Sequence, residues 1–375
     1  MKSVTSVHSR AEQSATAQMQ SLGLGVRWRR WMFAMPALAL LCLGLIVLSA
    51  IVGVGSITLT PAQIWRALAD PDAASRLEIV ATNARLSRAV MALGVGVALG
   101  MAGALLQALY RNPLASPSIT GVTQGAVTAT VAWIVFGPEV APDQVSWVLP
   151  GVASVGALIS ATATWSFTRL GGKVEPTRLI LIGVLVGGVL SAITSVALLW
   201  AGESTQSLVT WLSGSLASAT WQKVQLLGIG IVIVVPLLLM AIPRANLLHF
   251  GDDVTSGLGQ SVTPARAIVL IAACLLTAVA VCTVGGIGFV GLIAPHLLRW
   301  LVGSDLRRLA PAAGLAGGAL VLLADFISRN LRPIDVGEWL NIPTNTYSAV
   351  TLPVGVYLAL LGGSFFLYLL RRTRG

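Results

Sequence analysis

Few side chains in this 375-residue sequence are of kinds that do covalent or proton chemistry. "RLGGKVEP", residues 169–176, has the look of a phosphate-binding loop, in which glycines expose backbone N–H groups and a lysine reaches the terminal phosphate. The spacing fails, because Phe167 stands five before Gly172 and Val174 rather than Ser or Thr follows Lys173. No ATP site can be drawn on it. Of the 14 acidic residues, only Asp325 falls clearly inside an apolar run. A proton- or sodium-coupled carrier places ionisable groups or unwound helices near the membrane midplane, and such a set is not visible in the sequence. His296, alone in an apolar run, reads first as a hydrogen-bonded structural group and second as a proton relay. The three cysteines, Cys42, Cys274 and Cys282, lack metal-ligand spacing and read as packing residues.

The elements that must position these residues are set by composition. The chain is 55% hydrophobic and 10% charged, with a mean hydropathy of +0.84. A soluble protein carries about 25% charged residues, so lipid is the solvent here. The net charge of +10 is spread singly or in pairs between apolar runs, which excludes a nucleic-acid face. About the first 26 residues are rich in Ser, Gln and Ala, so residues 1–30 read as a disordered cytoplasmic tail before one membrane domain over 31–372. No apolar core of a signal peptide precedes Trp31.

Hydropathy predicts an all-α polytopic protein with spans near 31–54, 86–108, 118–136, 147–168, 179–201, 224–242, 266–284, 287–302, 310–328 and 347–370. Small residues one turn apart, such as Gly96 and Gly100, Gly183 and Gly187, and Gly314 and Gly318, permit close helix packing.

The number of spans turns on "CTVGGIGFVGLIAPHLLRW", residues 282–300. The 29 uncharged residues 267–295 around it are too long for one crossing of about 20 residues and short for two. With ten spans and cytoplasmic termini, only Arg66, Arg76, Arg85, Arg88, Lys223, Arg329 and Arg332 lie outside, leaving 17 of the 24 basic residues inside. The positive-inside rule therefore favours ten, and Gly285, Gly286 and Gly288 become a tight reversal on the periplasmic side.

Two polar interruptions stand out. "LLHFGDDVTSGLGQSVTPAR", residues 247–266, predicts a short inside helix started by Asp252 and Asp253 and ended by Gly257 and Gly259, of a kind that a partner subunit grips. "QSLVTWLSGSLASATWQKV", residues 206–224, predicts an outer-surface helix or half-span with Trp211 and Trp221 at the interface. Among the outside basic residues, Arg85, Arg88 and Arg329 flank span ends. They read either as snorkelling side chains or as a cationic rim awaiting an acidic partner.

Taken in order, "GALLQALYRNPLASPSITGVTQGA", "WLSGSLASATW", the 251–260 loop, "GGIGFVGLIAPHLLRWLVGSDLRRLAP", "ADFISR" and "LPVGV" resemble the FecCD-type permease subunits of bacterial ABC importers for iron chelates and cobalamin. The resemblance covers about residues 32–372. It implies a ten-helix permease of the type II importer fold in the inner membrane, working as a dimer, here a homodimer. Its partners would be a second permease subunit, two cytoplasmic ATPases that bind ATP and magnesium, and a periplasmic substrate-binding protein. The chain itself would be no enzyme and would hold no cofactor or metal.

By the same resemblance, Leu247, Leu248, Gly251, Asp252, Asp253, Gly257, Leu258 and Gly259 belong to the ATPase coupling loop, and Arg85, Arg88 and Arg329 to binding-protein docking. The cargo implied is a ferric siderophore, with haem and then cobalamin behind it. A proton-coupled carrier is the alternative of another class. Ser191, Thr194 and Ser195 in span 5 are candidate pathway residues. Departures from the family pattern are "RLSR" with Ser87 for the usual proline, Thr351 for the usual glutamate, Ser364 in "GGSFF", and an insertion over 330–351.

Overall fold

The computed structural model describes residues 24–52, 59–70, 74–138, 142–170, 176–202, 205–330 and 352–372. Every regular element among them is helical: α1 Leu24–Ile51, α2 Pro61–Ala69, α3 Arg76–Leu109, α4 Val122–Phe136, α5 Pro142–Leu170, α6 Pro176–Leu198, α7 Thr205–Leu212, α8 Trp221–His249, α9 Asp252–Gly257, α10 Val262–Val284, α11 Val290–Val302, α12 Leu306–Asn330 and α13 Val354–Arg372. Seven are long and apolar enough to cross a membrane, and α4, α11 and α13 contribute three shorter apolar helices. Together they match the ten predicted spans one for one.

Two boundaries differ from expectation. The tail predicted over 1–30 lies outside the described residues as far as 23, but 24–30 already belong to α1. Good helix formers such as Leu24 and the arginines carry the helix past the apolar edge. The second span begins ten residues early, at Arg76, because Ser75 and Glu78 form a capping box that nucleates a 34-residue helix ahead of the hydrophobic run. Thr60 and Gln63 cap α2 in the same way. The 330–351 insertion lies outside the described residues beyond Asn330, as does the 171–175 part of the loop after α5.

The helices α3 and α10 are the buried centre, and α12 packs along α3. The contact is backbone to backbone. A methyl added at Gly96 would meet Gly317, one at Gly100 would meet Ala313, and one at Gly103 would meet Gly291 of α11. Where lipid is as apolar as leucine, dispersion across such close approaches holds helices together. By contrast α6 and α8 leave long aliphatic rows outside, including Leu181, Leu185 and Val189 of α6 and Val232, Ile233 and Leu239 of α8. These faces suit lipid or another apolar surface.

Candidate functional site

A polar recess lies beside the crossing of α4 and α6. At Gly121 the backbone comes so near α6 that a side chain there would press on the Gly183 carbonyl at 2.8 Å. Ser160 of α5 donates to the Gly121 carbonyl at 2.8 Å and fixes this loop from the other side. Beside the crossing is a groove of about 370 Å³. Its walls carry Ser118, Thr123, Gln124, Ser191, Thr194 and Ser195, with Gly286 and Gly288 at one edge. Among the described residues, no Lys, Arg, Asp or Glu lines it. The three hydroxyl residues predicted on span 5 are thus brought together, and Thr123 and Gln124 of α4 join them.

Several of these hydroxyls serve the helices themselves. Thr194 bonds the Leu190 carbonyl at 3.0 Å and shares a 2.8 Å contact with Thr128, while Ser195 bonds the Ser191 carbonyl at 3.0 Å. Ser118 pairs with Ser116 at 3.0 Å.

The glycine turn bounding the groove is a true reversal. The helix α10 ends at Gly285, with φ +80°, and α11 begins after Phe289, a non-glycine residue at φ +67°. A side chain on Gly285 would collide with the Trp211 carbonyl. The Ser215 amide donates to Val284 at 2.9 Å, and the Gly355 amide to Gly214 at 3.0 Å. Three separate stretches, "WLSGS", "GGIG" and "LPVG", therefore knit into one junction. Trp211 is partly buried in it, whereas Trp221 opens α8 and bonds Asn83 through its indole nitrogen at 3.2 Å. His296, on α11, packs edge-on to Phe365 with ring centroids 5.7 Å apart. Nearby, Arg299 donates to the buried Gln107 at 2.8 Å, tying α11 to α3.

At another end of the bundle lies the predicted short helix, α9. Gly251 enters it at φ +106° and Gly259 leaves it at φ +79°. Thr255 is buried and bonds the Leu247 carbonyl at 2.9 Å, turning the helix back onto α8. Asp252 holds Arg266 of α10 through both carboxylate oxygens, at 2.7 and 2.9 Å. Asp253 faces out. Leu247 and Leu248 belong to the last turn of α8 rather than to a loop, and Leu248 is core. What remains outside is apolar: Phe250 is 69% exposed, Val254 48% and Leu258 64%. Val254 and Leu258, one turn apart, share a face of α9, and Phe250 stands just before it at the end of α8. A recess of about 460 Å³, with Leu258 and Gly259 on its wall, opens beside them.

Two of the three arginines expected at a cationic rim, Arg88 and Arg329, pair with a carboxylate of the chain itself. Arg329 is 7% exposed, and Asp325 is fully buried between two arginines. Arg88 Nε lies 2.7 Å from one carboxylate oxygen and Arg329 Nε 3.1 Å from the other. Arg329 also donates to Ser49 of α1, and Arg85 to the Ala50 carbonyl at 3.1 Å. A buried guanidinium demands a counter-charge. The chain supplies one itself for Arg88 and Arg329.

A model of the FecCD transport family matches residues 40–372. The chain belongs to the FecCD transport family. Among similar FecCD-family proteins is the Fe(3+)-citrate import system permease protein YfmE of Bacillus subtilis, 34% identical, with 90% of this chain and 95% of that one covered. Another is the cobalamin import system permease protein BtuC of Halobacterium salinarum, 36% identical over 78% of this chain and 74% of the relative. A solved structure described as a metal-chelate type ABC transporter, inward-facing, matches with a TM-score of 0.72 and 29% identity, over 91% of this chain and 99% of that one. The FecCD assignment makes this a multi-pass membrane protein of the permease kind. Sequence reasoning missed Thr123, Gln124 and the Gln107–Arg299 tie, all of which lie in or beside quoted FecCD motifs.

Proposed function

We propose that the chain is the permease subunit of an ATP-driven importer that moves a ferric siderophore or a similar iron chelate into the cytoplasm. The observation that carries this reading is a groove of hydroxyl, amide and glycine positions without a fixed charge, inside a FecCD bundle. Such walls can attract a cargo weakly and let it go, as conduction requires. Two copies of the chain would face each other across the pathway, with both termini in the cytoplasm. ATP and magnesium would be bound by two partner ATPases gripping the apolar face of α9. A periplasmic binding protein would deliver the cargo near Arg85, Arg88 and Arg329. ATP binding would bias the pair between inward-open and outward-open states. Haem and cobalamin are the competing cargoes.

The test is reconstitution of the permease with its ATPases and binding protein in liposomes. Uptake of radiolabelled ferric citrate that requires ATP supports the proposal. Uptake driven by a pH gradient without ATPases would replace it with a proton-coupled carrier.

A further inference from the structure

The groove contains one side chain whose situation is unlike its neighbours'. Thr123 is 5% exposed and lines the recess, yet its hydroxyl has no hydrogen-bond partner among the described residues. Buried hydroxyls are nearly always satisfied, so an orphan beside a cavity points to something absent from the isolated chain. Gln124, the next residue, lines the same recess, and no side-chain hydrogen bond ties it to another described residue. The same holds for Ser191 across the groove.

The backbone beneath them adds a field. Thr123 and Gln124 stand in the first turn of α4, whose N-cap, Gly121, has no side chain to satisfy the opening amides. Free N–H groups and the aligned peptide dipoles make such a terminus attractive to anionic oxygen. The Thr123 amide is taken by the Pro117 carbonyl at 3.3 Å, which ties the turn but leaves its polarity unchanged. No lysine or arginine among the described residues lines the groove, so the attraction they offer an anion arises from dipoles. A dipolar site holds an anion less tightly than a fixed cation does, which suits passage rather than storage.

Given the importer reading on which this rests, we propose that the first turn of α4 is the cargo-contact station of the groove. There the Thr123 hydroxyl and the Gln124 amide donate to carboxylate, hydroxamate or catecholate oxygens of a ferric chelate. The station favours chelates whose anionic oxygens surround the metal over haem, whose two propionates sit on one edge of a broad apolar ring.

The experiment uses the full complex in liposomes, loaded in parallel with ferric citrate and with haem. Thr123→Val keeps the shape and removes the orphan hydroxyl. It should leave the apparent Tm of the purified complex unchanged or raised while cutting ferric citrate uptake about tenfold, the equivalent of about 1.4 kcal/mol. Gln124→Leu should do likewise, and Thr123→Ser should restore uptake. Unchanged citrate uptake in both variants, or a loss that tracks a falling Tm, overturns the station. A wild-type complex that carries haem but not ferric citrate overturns the station and leaves the importer standing. Uptake of either cargo driven by a pH gradient with the ATPases left out overturns the importer reading itself.

Discussion

Asp325 accepts a 2.7 Å contact from Arg88, which lies 237 positions earlier in the chain. Its other oxygen faces Arg329, one turn along α12. The outer ends of α3 and α12 are thereby joined by a carboxylate held between two guanidinium groups, and Arg329 extends the tie to α1 through Ser49.

Removing that carboxylate leaves two cations facing each other with little water. Asp325→Ala is expected to destabilise the permease by about 3–5 kcal/mol, read as a lowered apparent Tm in detergent. The double variant Asp325→Ala/Arg329→Leu should recover part of the loss through the coupling of contacting residues. A single variant as stable as wild type would refute the tie.

The pairing of Arg88 and Arg329 with Asp325 sharpens how docking must be tested. Reversing either would set a glutamate against Asp325 and damage the fold first. Arg85, which rests on the end of α1, is the better probe. Arg85→Glu should weaken association with the binding protein by about 0.2–1 kcal/mol at low salt, and the difference should shrink as salt rises. Surface plasmon resonance at two ionic strengths would decide it, and equal affinities at both would remove Arg85 from the docking surface.

On the opposite surface, Phe250, Val254 and Leu258 present an unsheltered apolar face. Leu258→Glu should reduce co-purification of the ATPases by about thirtyfold, the size of a hot-spot loss near 2 kcal/mol. The permease alone should melt as before, since Leu258 is 64% exposed. Full assembly of the variant would dissociate α9 from coupling.

The glycine turn offers a paired control. Gly285→Ala forces a side chain into positive φ, at about 1–2 kcal/mol, and into the Trp211 carbonyl. Poor yield and aggregated elution on gel filtration are expected. Gly288→Ala meets nothing within 4 Å and should behave as wild type.

How far the sequence reveals this molecule depends on the range of each interaction. The short helix α9 is legible because its signals are local: two aspartates at one end and glycines at the other. The reversal at Gly285 follows from charge counting, and the structure adds that the Trp211 carbonyl enforces it. The ion pair of Arg88 is hidden from the sequence, because a hydropathy profile shows Arg88 at a span's edge and cannot show a carboxylate arriving from α12. Only the i,i+4 spacing of Asp325 and Arg329 hints at an internal pair. Thr123 is illegible for another reason: its orphan hydroxyl is a property of surroundings supplied by α6, α7 and the glycine turn.

The brevity of α11 has a bearing on the barrier to leakage. Thirteen residues rise about 20 Å, against a hydrocarbon layer of about 30 Å. The charged end beyond Gly303, with Asp305 and Arg307 exposed, belongs at the water's edge. The Gly285–Phe289 reversal consequently lies roughly 10 Å beneath the far interface. Irregular backbone survives at such depth only when protein or water surrounds it. A solute resting at Gly286 has thus already crossed a third of the insulating layer, and the seal against leakage is correspondingly thin.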